Sequence, residues 1–96
     1  MTYEEFDQLL DKLQIARALV AESYTAYKAA RTSAQAKMCV ELESFPFADR
    51  YAAECAMYAS EERDYQQAAN EAGIAQKRVD FALAEMQAMA RTRLAQ

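Results

Sequence analysis

Residues 51 to 89 read YAAECAMYASEERDYQQAANEAGIAQKRVDFALAEMQAM, and this stretch decides the fold. Every seventh position from its start gives one row of mostly apolar residues: Tyr51, Tyr58, Tyr65, Ala72, Val79 and Met86. A companion row of small or flexible residues contains Ala68, Ala75, Ala82 and Met89. Two apolar rows that repeat every seven residues form the seam along which helices pack in a coiled coil. The stretch therefore predicts a long helix with a helical partner.

Gly73 lies inside this stretch and is the point at which the helix could end. The segment Asn70-Glu71-Ala72-Gly73 resembles a helix C-terminus, because Gly readily adopts the backbone conformation that closes a helix. However, the seven-residue rows keep the same phase before and after Gly73. We therefore predict an uninterrupted helix, with a break at Gly73 as the alternative.

The first half of the chain carries a second helical pattern. Thr2 followed by Glu5 fits a capping box at a helix start. Side chains suited to a buried stripe then recur at helical spacing at Phe6, Leu9, Leu10, Leu13, Val20, Tyr24, Tyr27, Ala34, Met38 and Leu42. Pro46 disfavours helix at the residue before it and suits the start of a new helix. The sequence predicts a single domain with helices at about 3–43 and 48–94 and a turn at 44–47.

The distribution of charge favours an antiparallel pairing of the two helices. Residues 1–23 carry five acidic and two basic side chains, whereas residues 74–96 carry four basic and two acidic ones. These segments lie side by side only if the second helix folds back along the first. The same arrangement places a basic segment opposite an acidic one, namely Lys28, Arg31 and Lys37 against Glu54, Glu61, Glu62 and Asp64. Each exposed pair contributes only tenths of a kcal/mol, so the pattern selects an orientation more than it stabilises the fold.

The chain has few bulky apolar side chains with which to build a core. Its 96 residues include 22 Ala but only 16 Leu, Ile, Val and Phe combined, with one Gly and one Pro. This composition predicts an all-α chain. Further apolar residues lie off the main seam at Ile15, Leu19, Val40 and Leu83. We expect the helical hairpin to dimerise into a four-helix bundle; the alternative is a compact bundle of three or four helices, broken near Ser33 and Gly73.

Several kinds of site lack their usual residues. The chain has no His, which removes the common general base, Ser-His and Cys-His nucleophiles, and most zinc and di-iron sites. Cys39 and Cys55 do not form a Cys-x-x-Cys motif, although a turn near residue 46 makes a disulfide between them conceivable. Buried free thiols are the simpler expectation. We expect no enzymatic activity, no metal and no cofactor.

Charge and hydropathy bound the partners and the location. A net charge of −4 argues against a basic nucleic-acid-binding protein. No apolar run is long enough to span a membrane, and the acidic start differs from a secretory signal. Two Cys without secretory features suit a reducing compartment. We expect a cytoplasmic protein that does not associate with membranes or nucleic acid.

Tyrosine is the most unusual component of the helical patterns. Five of the six tyrosines fall on them: Tyr24, Tyr27, Tyr51, Tyr58 and Tyr65. They could form a seam in place of scarce Leu, or a recognition stripe for a protein or a nucleobase, with Arg31 or Arg63 as the anion contact. Phe45 and Phe47 pose the same choice, because they either close the end of the bundle or project as an apolar tip. These nine residues form the candidate partner-binding set.

The function that these features favour is a non-catalytic protein-interaction module, dimeric, that occupies a surface on a partner macromolecule. By analogy alone, small acidic Ala-rich helical proteins are often accessory inhibitors or adaptors of bacteria and their phages. The first alternative is a nucleotide-binding or nucleotide-sequestering oligomer that uses Tyr and Arg at a subunit interface. The second is a structural coiled-coil spacer.

Overall fold

The chain folds into two long helices. A computed structural model describes the backbone of residues 1–41 and 46–95, and the side chains of these residues except 39–41 and 47. Helix α1 spans Tyr3–Glu41, and helix α2 spans Phe47–Ala95. The predicted turn lies mostly outside the described residues.

The two helices run antiparallel and pack against each other. Tyr24 contacts Tyr65, and Arg17, farther from the connection on α1, contacts Gln76, farther from it on α2. The hairpin measures 76 × 21 × 13 Å, with a radius of gyration of 21.4 Å. A compact chain of this length has a radius of gyration of about 12–13 Å. The predicted extended hairpin is confirmed, and the compact bundle is not adopted.

Local hydrogen bonds fix where each helix begins. The Thr2 hydroxyl accepts a hydrogen bond from the Glu5 backbone N–H at 3.1 Å, which is the N-cap half of the predicted capping box. At α2, the Pro46 carbonyl accepts hydrogen bonds from the backbone N–H groups of Asp49 and Arg50, both at 3.1 Å. Proline suits this position because it has no N–H of its own to leave unpaired at a helix start.

The core is a single thin seam between the helices. Its least exposed side chains, each at most 8 % exposed, are Leu13, Ala34, Met38, Tyr58, Ala68, Val79 and Ala82. The four that lie on α2 all belong to the two predicted rows, so these rows do form the buried side of the helix. The rows open at their ends, where Tyr51 is 56 % exposed and Met89 is 45 % exposed.

Both helices run unbroken through the two positions at which a break was considered. Ser33 lies within α1 and Gly73 within α2, and the backbone at Gly73 does not adopt a positive φ. The phase of the seven-residue rows explains this continuity, because only an unbroken helix keeps both halves of α2 turned toward α1.

Large apolar side chains also remain on the outside of the hairpin. Those at least 42 % exposed are Met1, Tyr3, Ile15, Leu19, Tyr24, Tyr51, Met57, Ile74, Phe81, Leu83, Met89 and Leu94. Charged residues separate them along each helix, and neither described helix contains a stretch apolar enough to cross a membrane. One seam therefore leaves much of the apolar surface of the chain uncovered.

The substitution Gly73→Ala should stabilise the hairpin. A Cβ at this exposed position would meet no atom within 4 Å. Because Ala loses less backbone entropy than Gly in a helix interior, we expect the free energy of unfolding to rise by about 0.5–1 kcal/mol. Urea denaturation followed by circular dichroism measures the change.

Ala84, which is also exposed on α2, provides the matched control. Ala84→Gly should lower the free energy of unfolding by a similar amount, since it makes the reverse exchange in the same helix. A loss of stability in Gly73→Ala would contradict a regular helix at this position.

Candidate interaction surfaces

Four tyrosines meet across the helices and form what we call the tyrosine cluster: Tyr24, Tyr27, Tyr58 and Tyr65. The Tyr27 and Tyr65 rings stack with centroids 5.8 Å apart and planes at 11°. The Tyr58 ring lies nearly perpendicular to Tyr27, with centroids 5.7 Å apart, and Tyr24 lies 5.4 Å from Tyr65. Aromatic pairs of this kind contribute about 0.5–1.5 kcal/mol beyond the area they bury. The cluster therefore stabilises the packing of α1 against α2.

Exposure divides the cluster into a buried part and an open part. Tyr58 is 5 % exposed, Tyr27 and Tyr65 are partly buried, and Tyr24 is 47 % exposed. The buried members pack as the seam interpretation expects. The Tyr24 ring presents about half of its surface to solvent, so it is the member available to a partner.

The Cys55 thiol lies beside the cluster. It is free and partly buried, and its Sγ lies 3.5 Å from the Tyr58 hydroxyl, within hydrogen-bonding distance for sulfur. This hydrogen bond, burial and nearby negative charge raise the pKa of Tyr58 to about 12. The pKa of Tyr51 is raised as well, first by its own hydrogen bond to Cys55. The side chain of Cys39 is outside the described set, and so is the conceivable disulfide.

The remaining candidate residues lie outside the tyrosine cluster. Tyr51 is close enough to Arg31 for the guanidinium charge to act on its phenol, and this effect partly offsets the rise in pKa. Arg63 is exposed and, two positions from the nearest cluster member on α2, projects from a different side of the helix. Phe45 is outside the described residues, and for Phe47 only the backbone is described, as the first residue of α2.

One broad face of the hairpin is bridged by polar side chains, and we call it the bridged face. Arg17 donates a hydrogen bond to Gln76 Oε1 on the other helix. Gln76 Nε2 donates in turn to Asp80 Oδ1 at 2.9 Å. The carboxylate thereby orients the amide so that its oxygen points toward the guanidinium. Tyr24 follows Arg17 by seven residues and lies on the same face.

The opposite face carries an acidic groove, which we call the central groove. Leu19 lines it, and because two residues advance a helix by about 200°, Leu19 projects away from Arg17. The groove has a volume of about 370 Å³, and its lining includes three small side chains: Ser23, Ala26 and Ala68. Gln67 and four carboxylates complete the lining, the latter from Glu22, Glu61, Asp64 and Glu71. The charged side chains of this groove are all acidic.

A second groove, the end groove, lies nearer the chain termini. Its volume is about 520 Å³, and it is lined by Met1, Leu9, Ile74, Lys77, Arg78, Phe81, Ala82 and Glu85. Two seven-residue rows of α2 begin in the central groove and continue into this one: Asp64–Glu71–Arg78–Glu85 and Gln67–Ile74–Phe81. Both grooves therefore belong to one continuous surface, the grooved face.

The grooved face contains residues that the sequence analysis did not select. Phe81 is 74 % exposed and Ile74 is 53 % exposed, and neither belongs to the buried rows. Ile15 and Leu19 were noted only as apolar residues off the seam. A periodic pattern could have identified them, because Gln67, Ile74 and Phe81 are spaced by seven residues. This row lies on the side of α2 that is not part of the seam.

The described side chains concentrate charge in one groove without forming a metal-ligating group. Within the described part of the chain, no group of three or more His, Cys, Asp or Glu is placed to hold a metal ion. The four carboxylates that line the central groove give it a negative charge.

Comparison with known proteins places the chain in no group. No protein-family model matches the sequence, no curated protein matches it, and no solved structure matches the hairpin. The function must be argued from the surfaces themselves.

Removing the ring of Tyr58 tests which tyrosines hold the hairpin together. Tyr58→Ala deletes a buried ring and its contact with Tyr27, so we expect the free energy of unfolding to fall by about 3 kcal/mol. Thermal unfolding followed by circular dichroism should show a clearly lower Tm.

The matched control is Tyr51→Ala, one step earlier in the same row. Because Tyr51 is 56 % exposed, its truncation should lower the free energy of unfolding by less than half as much as Tyr58→Ala. Equal losses from the two substitutions would show that burial does not distinguish these rings.

Proposed function

We propose that this chain is a non-catalytic helical protein-interaction module that works as a homodimer and occupies a surface on a partner macromolecule. The observation that carries the proposal is the exposure of large apolar side chains on a hairpin whose core is one seam thick. Phe81 is 74 % exposed and Ile15 is 70 % exposed. Exposed apolar residues that gather on one face are typical of protein-binding surfaces.

The shape of the hairpin supports the same function. Two continuous helices form a rod 76 Å long, on which side chains seven residues apart are held at regular intervals. Helical partners are recognised through such regularly spaced anchors. The absence of His from the sequence leaves no ordinary general base near neutral pH, which favours binding over catalysis.

The bridged face is the surface that we assign to the foreign partner. Tyr24 is 47 % exposed, and its ring rests against Tyr65, which limits the freedom it must lose on binding. Tyrosine is enriched among the residues that contribute most to protein interfaces. By analogy, such a partner would be an enzyme or regulator that the module inhibits or links to another protein.

Native mass spectrometry of the full chain, purified from its own host, tests the proposed function. We expect a second protein to co-purify in stoichiometric amount. Tyr24→Ala should abolish this complex, because it removes the exposed anchor, and should lower Tm less than Tyr58→Ala does.

Tyr3→Ala is the control, since Tyr3 is exposed on the first turn of α1 and outside the cluster. It should leave the complex intact. A retained nucleotide without a protein would instead support the ligand-binding alternative, and a chain that carries neither would support the spacer. Either result would overturn the proposal.

A further inference from the structure

Charge is unevenly distributed along the grooved face. The central groove contributes four carboxylates. Toward the end groove the balance reverses, because Lys77 and Arg78 line that groove together with a single carboxylate, Glu85. In the row of α1 that contains Leu19, Lys12 adds a positive charge and Glu5 adds a negative one. The face therefore has an acidic half and a mainly basic half.

The sizes of the side chains also differ between the two halves of the grooved face. Phe81, which lines the end groove, is 74 % exposed in the basic half, whereas Ser and Ala side chains line part of the central groove in the acidic half. Gln67, in the central groove, and Phe81 are fourteen residues apart in one row, a separation of about 21 Å along the helix. Ile74 lies midway between them and is 53 % exposed. The face thus carries an exposed ring, an apolar centre and a groove lined partly by small side chains.

We propose that the grooved face binds a second copy of this chain in antiparallel orientation, so that Phe81 of each copy enters the central groove of the other. A two-fold axis that crosses the face near Ile15 and Ile74 produces this arrangement. The interface is isologous, because the Phe81 ring of each copy contacts the central groove of the other.

Electrostatics selects this orientation over the parallel one. In the antiparallel pair, Lys77 and Arg78 of each copy lie opposite the region of Glu71 and Glu22 in the other, and these pairs outnumber the like-charged pair of Glu85 and Asp64. A parallel pair in the same register would instead place the acidic halves together and the basic halves together. Like charges directly opposed across an interface cost several kcal/mol, whereas complementary charges fix the register.

A second copy fits this face better than a foreign protein, because the Phe81 ring and the central groove that would receive it are both present on the same surface. The 76 × 21 Å footprint of the hairpin is large enough for the roughly 800 Å² that each partner buries in a stable interface. Pairing would also complete a four-helix bundle and cover Ile15, Ile74 and Phe81. This inference rests on the proposed function and deepens it, by naming the surface through which the module dimerises.

Sedimentation equilibrium on matched variants of the full chain tests the assignment. The unmodified chain should be a dimer at micromolar concentration. Phe81→Ala should raise the dimer dissociation constant by at least about tenfold, because it removes the ring that fills the groove. Leu83→Ala, two residues away and on the other side of α2, should leave the constant unchanged. Weakening by Leu83→Ala in place of Phe81→Ala would move the dimer to the other face and overturn the proposal.

A charge-reversal pair tests the orientation independently of the ring. Arg78→Glu and Glu71→Arg should each weaken self-association, because each places like charges at positions 71 and 78, which face each other across the proposed interface. Mixed together, the two variants should form a heterodimer about as tight as the original homodimer, since positions 71 and 78 again carry opposite charges wherever they face each other. Failure of the mixture to associate would contradict the antiparallel register.

The outcome also separates this inference from the proposed function. A chain that stays monomeric at high concentration but still co-purifies with a protein would overturn the dimer and leave the interaction module standing. A dimer that behaves as described but captures no protein in its host would do the reverse. Circular dichroism of each variant confirms that the helices remain formed.

Discussion

The structure depends on the packing of α1 against α2 along rows that repeat every seven residues. Neither helix has another described element to bury its apolar stripe against, and the buried side chains all lie on this seam. The seam also sets the register between the helices. Each groove of the grooved face is lined from both of them, and the tyrosine cluster is assembled from both, so every proposed surface exists only while the seam is closed.

The thinness of that seam explains the character of the outer surfaces. With only 16 Leu, Ile, Val and Phe in the chain, tyrosine supplies much of the buried volume in the middle of the hairpin. Small side chains such as Ala68 bring the backbones close and leave hollows beside the seam. Because the seam is too narrow to cover them, Phe81 and Ile15 remain exposed to solvent. A second layer of helices is the natural solution, and the complementary halves of the grooved face indicate how a second copy would supply it.

The fold could be predicted because its cause is local and periodic. The row from Tyr51 to Met86 keeps one phase across Gly73, so an unbroken helix followed directly, and charge indicated the antiparallel pairing. The candidate surfaces were harder to predict. That Tyr24 meets Tyr65, or that Arg17 meets Gln76, depends on the register in which the two helices pack along the seam. Phe81 was missed because periodicity was read only for the buried rows, although its own row repeats on the opposite side of the same helix.

Distance measurement between two spin labels in one chain tests the closed seam most directly. Ala18 and Asn70 are exposed, lie at nearly the same level of the hairpin and are outside both proposed interfaces. The two native Cys are replaced by Ala, and the labelled chain is diluted in unlabelled protein. A single narrow distribution at about 20–30 Å is expected, because the helix axes lie about 8–10 Å apart and the labels reach outward. A distribution near 78 Å, the length of 52 residues of continuous helix, or one spread over many distances would contradict the closed seam.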